Sequence, residues 1–110
     1  MIEIAPKEYE VSLRFDESKM YCFLLNIDGK LGWRLPTIEE LDGIYTCIND
    51  FRKNGWYWSS TEVEGGVWFK SFSQYPKNGP TGWKDIVYFD GKHTIVETCL
   101  VRPVRDLKDD

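Results

Sequence analysis

This chain has no basic run, no histidine cluster and no cysteine framework, and each absence excludes a chemistry. Its 14 Lys and Arg are spread among 18 Asp and Glu, for a net charge of −4. A nucleic-acid binder concentrates cations to neutralise phosphates, so no nucleic acid is expected as a partner. The 3 cysteines, Cys22, Cys47 and Cys99, are odd in number and widely spaced, which fits neither a zinc pattern nor a set of disulfides. Tyr21 and Phe23 flank Cys22, Ile48 follows Cys47 and Leu100 follows Cys99. Such neighbours suit reduced, buried thiols acting as small hydrophobes, with a single disulfide as the alternative. Reduced thiols point to an intracellular setting. The single histidine, His93, lies beside Asp90-Gly91-Lys92 and reads as an exposed turn residue rather than a base. No metal and no cofactor is therefore expected.

Met1-Ile2-Glu3-Ile4 lacks the basic start and apolar core of a signal peptide, so synthesis in the cytoplasm of the host cell is the expectation. No apolar run reaches membrane-spanning length, so no membrane partner is expected. Repeats, low-complexity segments and linkers are also missing. The chain reads as a single domain over 1–110 with a frayed tail at 106–110.

Large rings are abundant: aromatics make up 15% of the residues, including 5 Trp, 6 Tyr and 6 Phe. Rings of this size bury much area per residue, so a core forms without cross-links. Tyr9, Val11, Leu13 and Phe15 alternate with polar residues and predict a strand over 8–15. Met20, Phe23, Leu24 and Ile27 recur at helical spacing. Capped by Asp16 or Ser18 and stopped by Gly29, they predict a helix over about 17–28. Thr37-Ile38-Glu39-Glu40 is a capping-box pattern. The stripe Ile38, Leu41, Ile44, Tyr45 and Ile48 then predicts a second helix over about 38–50. Short strands follow at 56–58, 67–72 and 86–89, with one or two within 94–104. The order describes an α+β domain with helices on an antiparallel sheet.

Residues 74–84 form a loop rich in Pro, Gly, Asn and Lys. Tyr75, Asn78, Trp83 and Lys84 within it, with Tyr88 on the following strand and Trp68 nearby, are the candidate contact residues. Aromatics beside Asn and Gly suit recognition surfaces. A core position is the alternative for Trp68 and Tyr88. Trp33, Leu35 and Leu41 suit packing, while Arg34, Arg102 and Arg105 suit carboxylate pairing or carbonyl capture. Ser59-Ser60-Thr61 suits local backbone bonding rather than nucleophilic catalysis.

Three segments in order, Gly32-Trp33-Arg34-Leu35-Pro36-Thr37 with Glu40-Leu41, then Tyr57-Trp58-Ser59-Ser60-Thr61, then Val101-Arg102-Pro103-Val104-Arg105, resemble the Lcl C-terminal domain family of bacteria and phages. Cys22 in the helix before the first segment matches as well, and the likeness covers about residues 16–106. Two departures stand out: Gly32 directly precedes Trp33, and Pro103 stands where the family often has Cys. The resemblance implies a C-type-lectin-like fold, similar to that of formylglycine-generating enzymes, with two helices packed on a twisted antiparallel sheet and a long irregular loop region.

The enzymatic side of that likeness does not carry over. The cysteines here are far apart in sequence, while those enzymes use a close pair, and one histidine cannot build the iron site of their sulfoxide-forming relatives. The Glu-Pro-Asn or Gln-Pro-Asp motif of calcium lectins is absent. No catalytic residue is therefore expected. The expectation is a non-enzymatic, phage-encoded module, whether a virion decoration, a tail-associated domain or a receptor- or host-recognition protein, that meets a protein or glycan through the 74–84 loop face or assembles as a homo-oligomer. A small intracellular protein binding a host factor is the alternative.

Overall fold

The computed structural model describes residues 1–44, 51–53, 55–73, 82–89 and 96–107. Strands β1 (Ile2–Ile4) and β2 (Val11–Leu13) flank one 3-10 turn at Lys7–Tyr9; helices α1 (Phe15–Leu24) and α2 (Ile38–Asp42) follow. Five more strands complete the order: β3 (Trp56–Val63), β4 (Gly66–Ser71), β5 (Trp83–Tyr88), β6 (Cys99–Val101) and β7 (Val104–Asp106). The main sheet runs β2-β6-β3-β4-β5, and β1 pairs with β7 separately. Neighbours are antiparallel except β3 and β6, which meet in parallel at Tyr57 and Leu100. The α+β class stands, with a mixed rather than purely antiparallel sheet.

Strand alternation divides the core. On one face Trp58, Val67, Phe69, Val87, Cys99 and Val101 cluster with Cys22 of α1 and with Leu35. On the other Tyr57, Phe72 and Leu100 cluster with Ile38 and Leu41 of α2, and with Ile44 and Phe51. A smaller cluster joins Ala5, Ile27 and Trp33.

The first helix starts and stops earlier than the sequence predicts. The Glu17 carboxylate accepts from Arg14 N at 3.0 Å, so capping falls before Asp16 and Ser18. Leu25 is extended, and Asp28 and Gly29 both have positive φ, 52° and 86°. They close a two-residue turn in which Ile27 and Lys30 exchange bonds of 3.1 and 2.9 Å. Gly29 thus serves a turn, not a helix end. The buried face also differs: Ser18 and Cys22 point inward, while Met20, Phe23 and Leu24 are exposed, Phe23 by 79%. Only Ile27 of the predicted stripe is buried.

The second helix keeps its predicted cap. Thr37 Oγ1 accepts from Glu40 N at 3.1 Å, and Glu40 Oε1 accepts from Thr37 N at 2.8 Å. It closes at Gly43 after one turn and a half; Tyr45, Cys47 and Ile48 lie outside the described residues. The strand predicted over 8–15 shortens to β2, because Tyr9 belongs to the 3-10 turn and Phe15 to α1. Val11, Leu13 and Phe15 still pack on the same cluster. At the start of the tail, Asp106 pairs with Ile2, and Leu107 N donates to Met1 O at 3.1 Å; residues 108–110, predicted to fray, lie outside the described residues.

Candidate functional site

The three sequence motifs meet in one seam. Arg34 and Val104 exchange backbone bonds of 2.7 and 2.8 Å, joining the first motif to the third. The Arg34 guanidinium then binds the Glu40 carboxylate in bidentate fashion, at 2.7 and 2.8 Å, and Asp106 at 2.8 Å. Glu40 is therefore both a cap and a counter-ion. Arg34 holds the Glu40 and Asp106 carboxyls below the usual carboxylate range. Nearby, Lys30 and Arg105 grip opposite oxygens of Glu3 at 2.9 and 2.7 Å, and together they lower its pKa.

The second motif is a seat for α2. Between Trp58 and Glu62 the β3–β4 register slips, so 59–61 bulge from the ladder. Ser59 Oγ donates to Trp68 O at 2.6 Å and accepts from Thr61 N at 3.1 Å. Ser60 N donates to Pro36 O at 2.8 Å, and Thr61 Oγ1 accepts from Ile38 N at 2.9 Å. The Ser60 amide and Thr61 hydroxyl thus dock the 36–38 segment, a longer-range role than the local backbone bonding the sequence predicts, which the Thr61 N to Ser59 Oγ bond alone represents.

Beneath the seam lies a buried ionic cluster. Arg102 Nε donates to Ala5 O at 2.7 Å, and its Nη1 reaches Glu10 at 3.2 Å. Tyr57 donates its phenol to the same carboxylate and accepts from Arg52 N at 2.9 Å. Burial, and then Glu10, push the Tyr57 phenol well above its ordinary value. Cys22 and Cys99 are free and buried, and burial pushes both thiols up to about 12. Neither is a thiolate near neutral pH. Among the described residues, no group of three or more His, Cys, Asp or Glu is placed to hold a metal. Among the described residues, no helix is long and apolar enough to cross a membrane.

The candidate contact residues separate. Tyr75 and Asn78 lie outside the described residues, as does His93. Trp83 and Lys84, expected in a loop, open the sheet's edge strand instead. Alternation then puts Trp83 on one face and Lys84 and Tyr88 on the other. Lys84 is tied inward: its Nζ lies 3.0 Å from Asp42 of α2 and 5.9 Å from the Trp68 ring centre. Lys70 meets the same Asp42 at 2.9 Å. Burial raises the Asp42 pKa, but the two ammonium groups outweigh it and hold the carboxyl below its ordinary value.

What remains at the surface is aromatic. Trp83 is 45% exposed, Tyr88 37% and Phe89 54%. Phe89, missed in the sequence reading, stacks against Phe15 at 5.7 Å and lines a pocket of about 370 Å³ with Arg14, Phe15, Asp16, Val96 and Glu97. The period-two run Trp83, Asp85, Val87, Phe89 is the signal that could have found it. Compared with known proteins, the chain matches no family model and no curated relative.

Proposed function

We propose that this protein is a non-enzymatic binding or assembly module whose contact surface is the β5 margin with its flanking 74–84 segment. The observation that carries the reading is the exposure of Trp83, Tyr88 and Phe89 along the edge strand of the sheet. Aromatic rings are enriched at recognition surfaces because they contribute large area at small entropic cost. The motif side chains that look chemical, Arg34, Ser59, Thr61 and Arg102, are engaged in holding the seam together. The motifs' resemblance to the Lcl C-terminal domain supports a phage or bacterial setting, with a virion or host-recognition role and a protein or glycan as partner.

The finer fold assignment, C-type-lectin-like, rests on the same resemblance. The pairing of β1 with β7 and the placing of α1 and α2 on opposite sheet faces are compatible with it. The second reading, an intracellular protein binding a host factor, draws support from the free, buried Cys22 and Cys99.

The test uses the purified chain against a glycan array and a displayed peptide library. Ligands selected on the wild type should lose binding to a Trp83→Ala, Tyr88→Ala double variant that melts at the same temperature. Selected ligands that bind both proteins equally, or an empty selection, would refute the β5 surface.

A further inference from the structure

A cavity of about 230 Å³ opens between α1 and the first two motifs, with no β5 residue among its described lining. Cys22, Trp33 and Leu35, all almost wholly buried, supply its inner wall. Phe23, by contrast, is mostly exposed and supplies its lip. Lys19, Arg34 and Ser60 complete the lining. An apolar cavity of about 150 Å³ encloses one benzene, so this one has room for a single ring with a short polar arm.

The polar groups at the cavity are few and unequal. A guanidinium has five N–H donors, and Arg34 spends all of them, on Leu35 O, Glu40 and Asp106. It therefore offers the cavity a flat cationic face or its aliphatic stem, and no hydrogen bond. Guanidinium faces stack on aromatic rings. Lys19 differs. Its ammonium lies 3.4 Å from one Glu62 oxygen, with both side chains half exposed, and 4.7 Å from the Phe15 ring centre. An exposed pair of this kind is weak, and an ammonium has three donors. Ser60 gives its amide to Pro36 O, while its hydroxyl has no partner among the described residues. The charged groups that line the cavity, Lys19 and Arg34, are both cations. Their partners Glu62, Glu40 and Asp106 stand outside the lining.

We propose that this cavity is a binding site for an aromatic carboxylate, with the ring among Phe23, Trp33 and the Arg34 face and the carboxylate accepting from Lys19 and the Ser60 hydroxyl. Burial keeps the Cys22 thiol protonated, so the inner wall adds a neutral sulfur, which makes favourable contacts with rings. A neutral aromatic gains the same apolar burial but leaves Lys19 to Glu62. An aliphatic acid keeps the ion pair but leaves the ring walls unfilled. The site is separate from the β5 surface and does not rest on it.

Heteronuclear NMR titration with phenylacetate tests the assignment. The acid should shift the amides of Cys22, Phe23 and Ser60 and the Trp33 indole N–H, and leave residues 83–89 unmoved. The shifts should saturate with a Kd of about 1 mM, the scale for so small a ligand. Benzyl alcohol, which has the ring without the charge, should bind about twofold to fivefold more weakly, and phenethylamine more weakly still. Lys19→Met should abolish the difference between acid and alcohol. Glu62→Gln removes the competing carboxylate and should tighten binding of the acid alone. Phe23→Ala should weaken all three ligands. These three positions are exposed, so the variants fold. A Gly-Gly-Phe tripeptide that binds at least as tightly as phenylacetate would assign the site to the end of a peptide chain, and weaker binding would assign it to a free acid. No saturable shift at the cavity, equal binding of acid and alcohol to the wild type, or a preference that survives Lys19→Met overturns the proposal. Phenylacetate shifts confined to 83–89 would do the same.

Discussion

The motif seam and the β5 margin are built on opposite plans. In the seam, side-chain functions are spent on one another: Arg34 on Glu40 and Asp106, Arg102 on Glu10 and Ala5, Thr61 on Ile38. It joins residues distant in sequence and closes β7 against β1. At the β5 margin, the backbone ladder joins β4, and Trp83, Tyr88 and Phe89 stand exposed beside it. The contrast teaches that the most recognisable residues of this chain hold its fold together, while the contact surface proposed for it sits in a stretch with no motif at all.

The largest effect should come from breaking the buried part of the seam. Arg102→Met leaves Glu10 buried without its guanidinium and should cost about 3–5 kcal/mol, typical of removing one partner from a buried pair. Denaturant unfolding checks this; a loss below about 1 kcal/mol would mean the pair is not structural. Trp33→Ala, at a ring buried beside Ala5 and Ile27, should cost about 3–5 kcal/mol as well. Thr37→Ala removes the acceptor for Glu40 N and should cost about 1 kcal/mol. Equal stability would show that the cap is dispensable.

Acid should loosen the seam selectively. Glu3, Glu40 and Asp106 have folded pKa values lowered by their cationic neighbours. Their stabilisation is complete above the unfolded carboxylate range, about pH 4, and is lost as pH falls through the lowered folded values. Melting temperature should therefore drop below about pH 4, and Arg34→Met should flatten that drop. An identical acid slope in the variant would contradict the assignment. The smallest effect belongs to the margin: Trp83→Ala with Tyr88→Ala should change stability by less than about 0.5 kcal/mol for each surface site. A larger loss would place those rings in the core.

Local chemistry was legible in the sequence, and long-range chemistry was not. The Thr37–Glu40 cap could be read because both partners lie within four residues. The Arg34–Glu40 pair, six residues apart, was not singled out, and the Arg34–Asp106 pair spans 72 residues that no local pattern bridges. The α1 boundaries were misread because small, partly polar Ser18 and Cys22 face the core while larger apolar side chains face out. Strand β1 was missed because its pairing with β7 joins the two ends of the described chain. Trp83 and Lys84 were assigned to a loop because Pro and Gly crowd the preceding residues; the charges of Lys84 and Asp85 hid a strand alternation set by Val87 and Phe89. Tyr75 and Asn78 lie outside the described residues.

Residue-resolved amide hydrogen exchange with and without a ligand selected on the wild type tests the contrast most directly. The account predicts that amides within 83–89 gain protection when the ligand binds, while those of Arg34 and Val104 in the seam stay constant. Protection within 83–89 that ignores the ligand, or a seam that responds in its place, would contradict it.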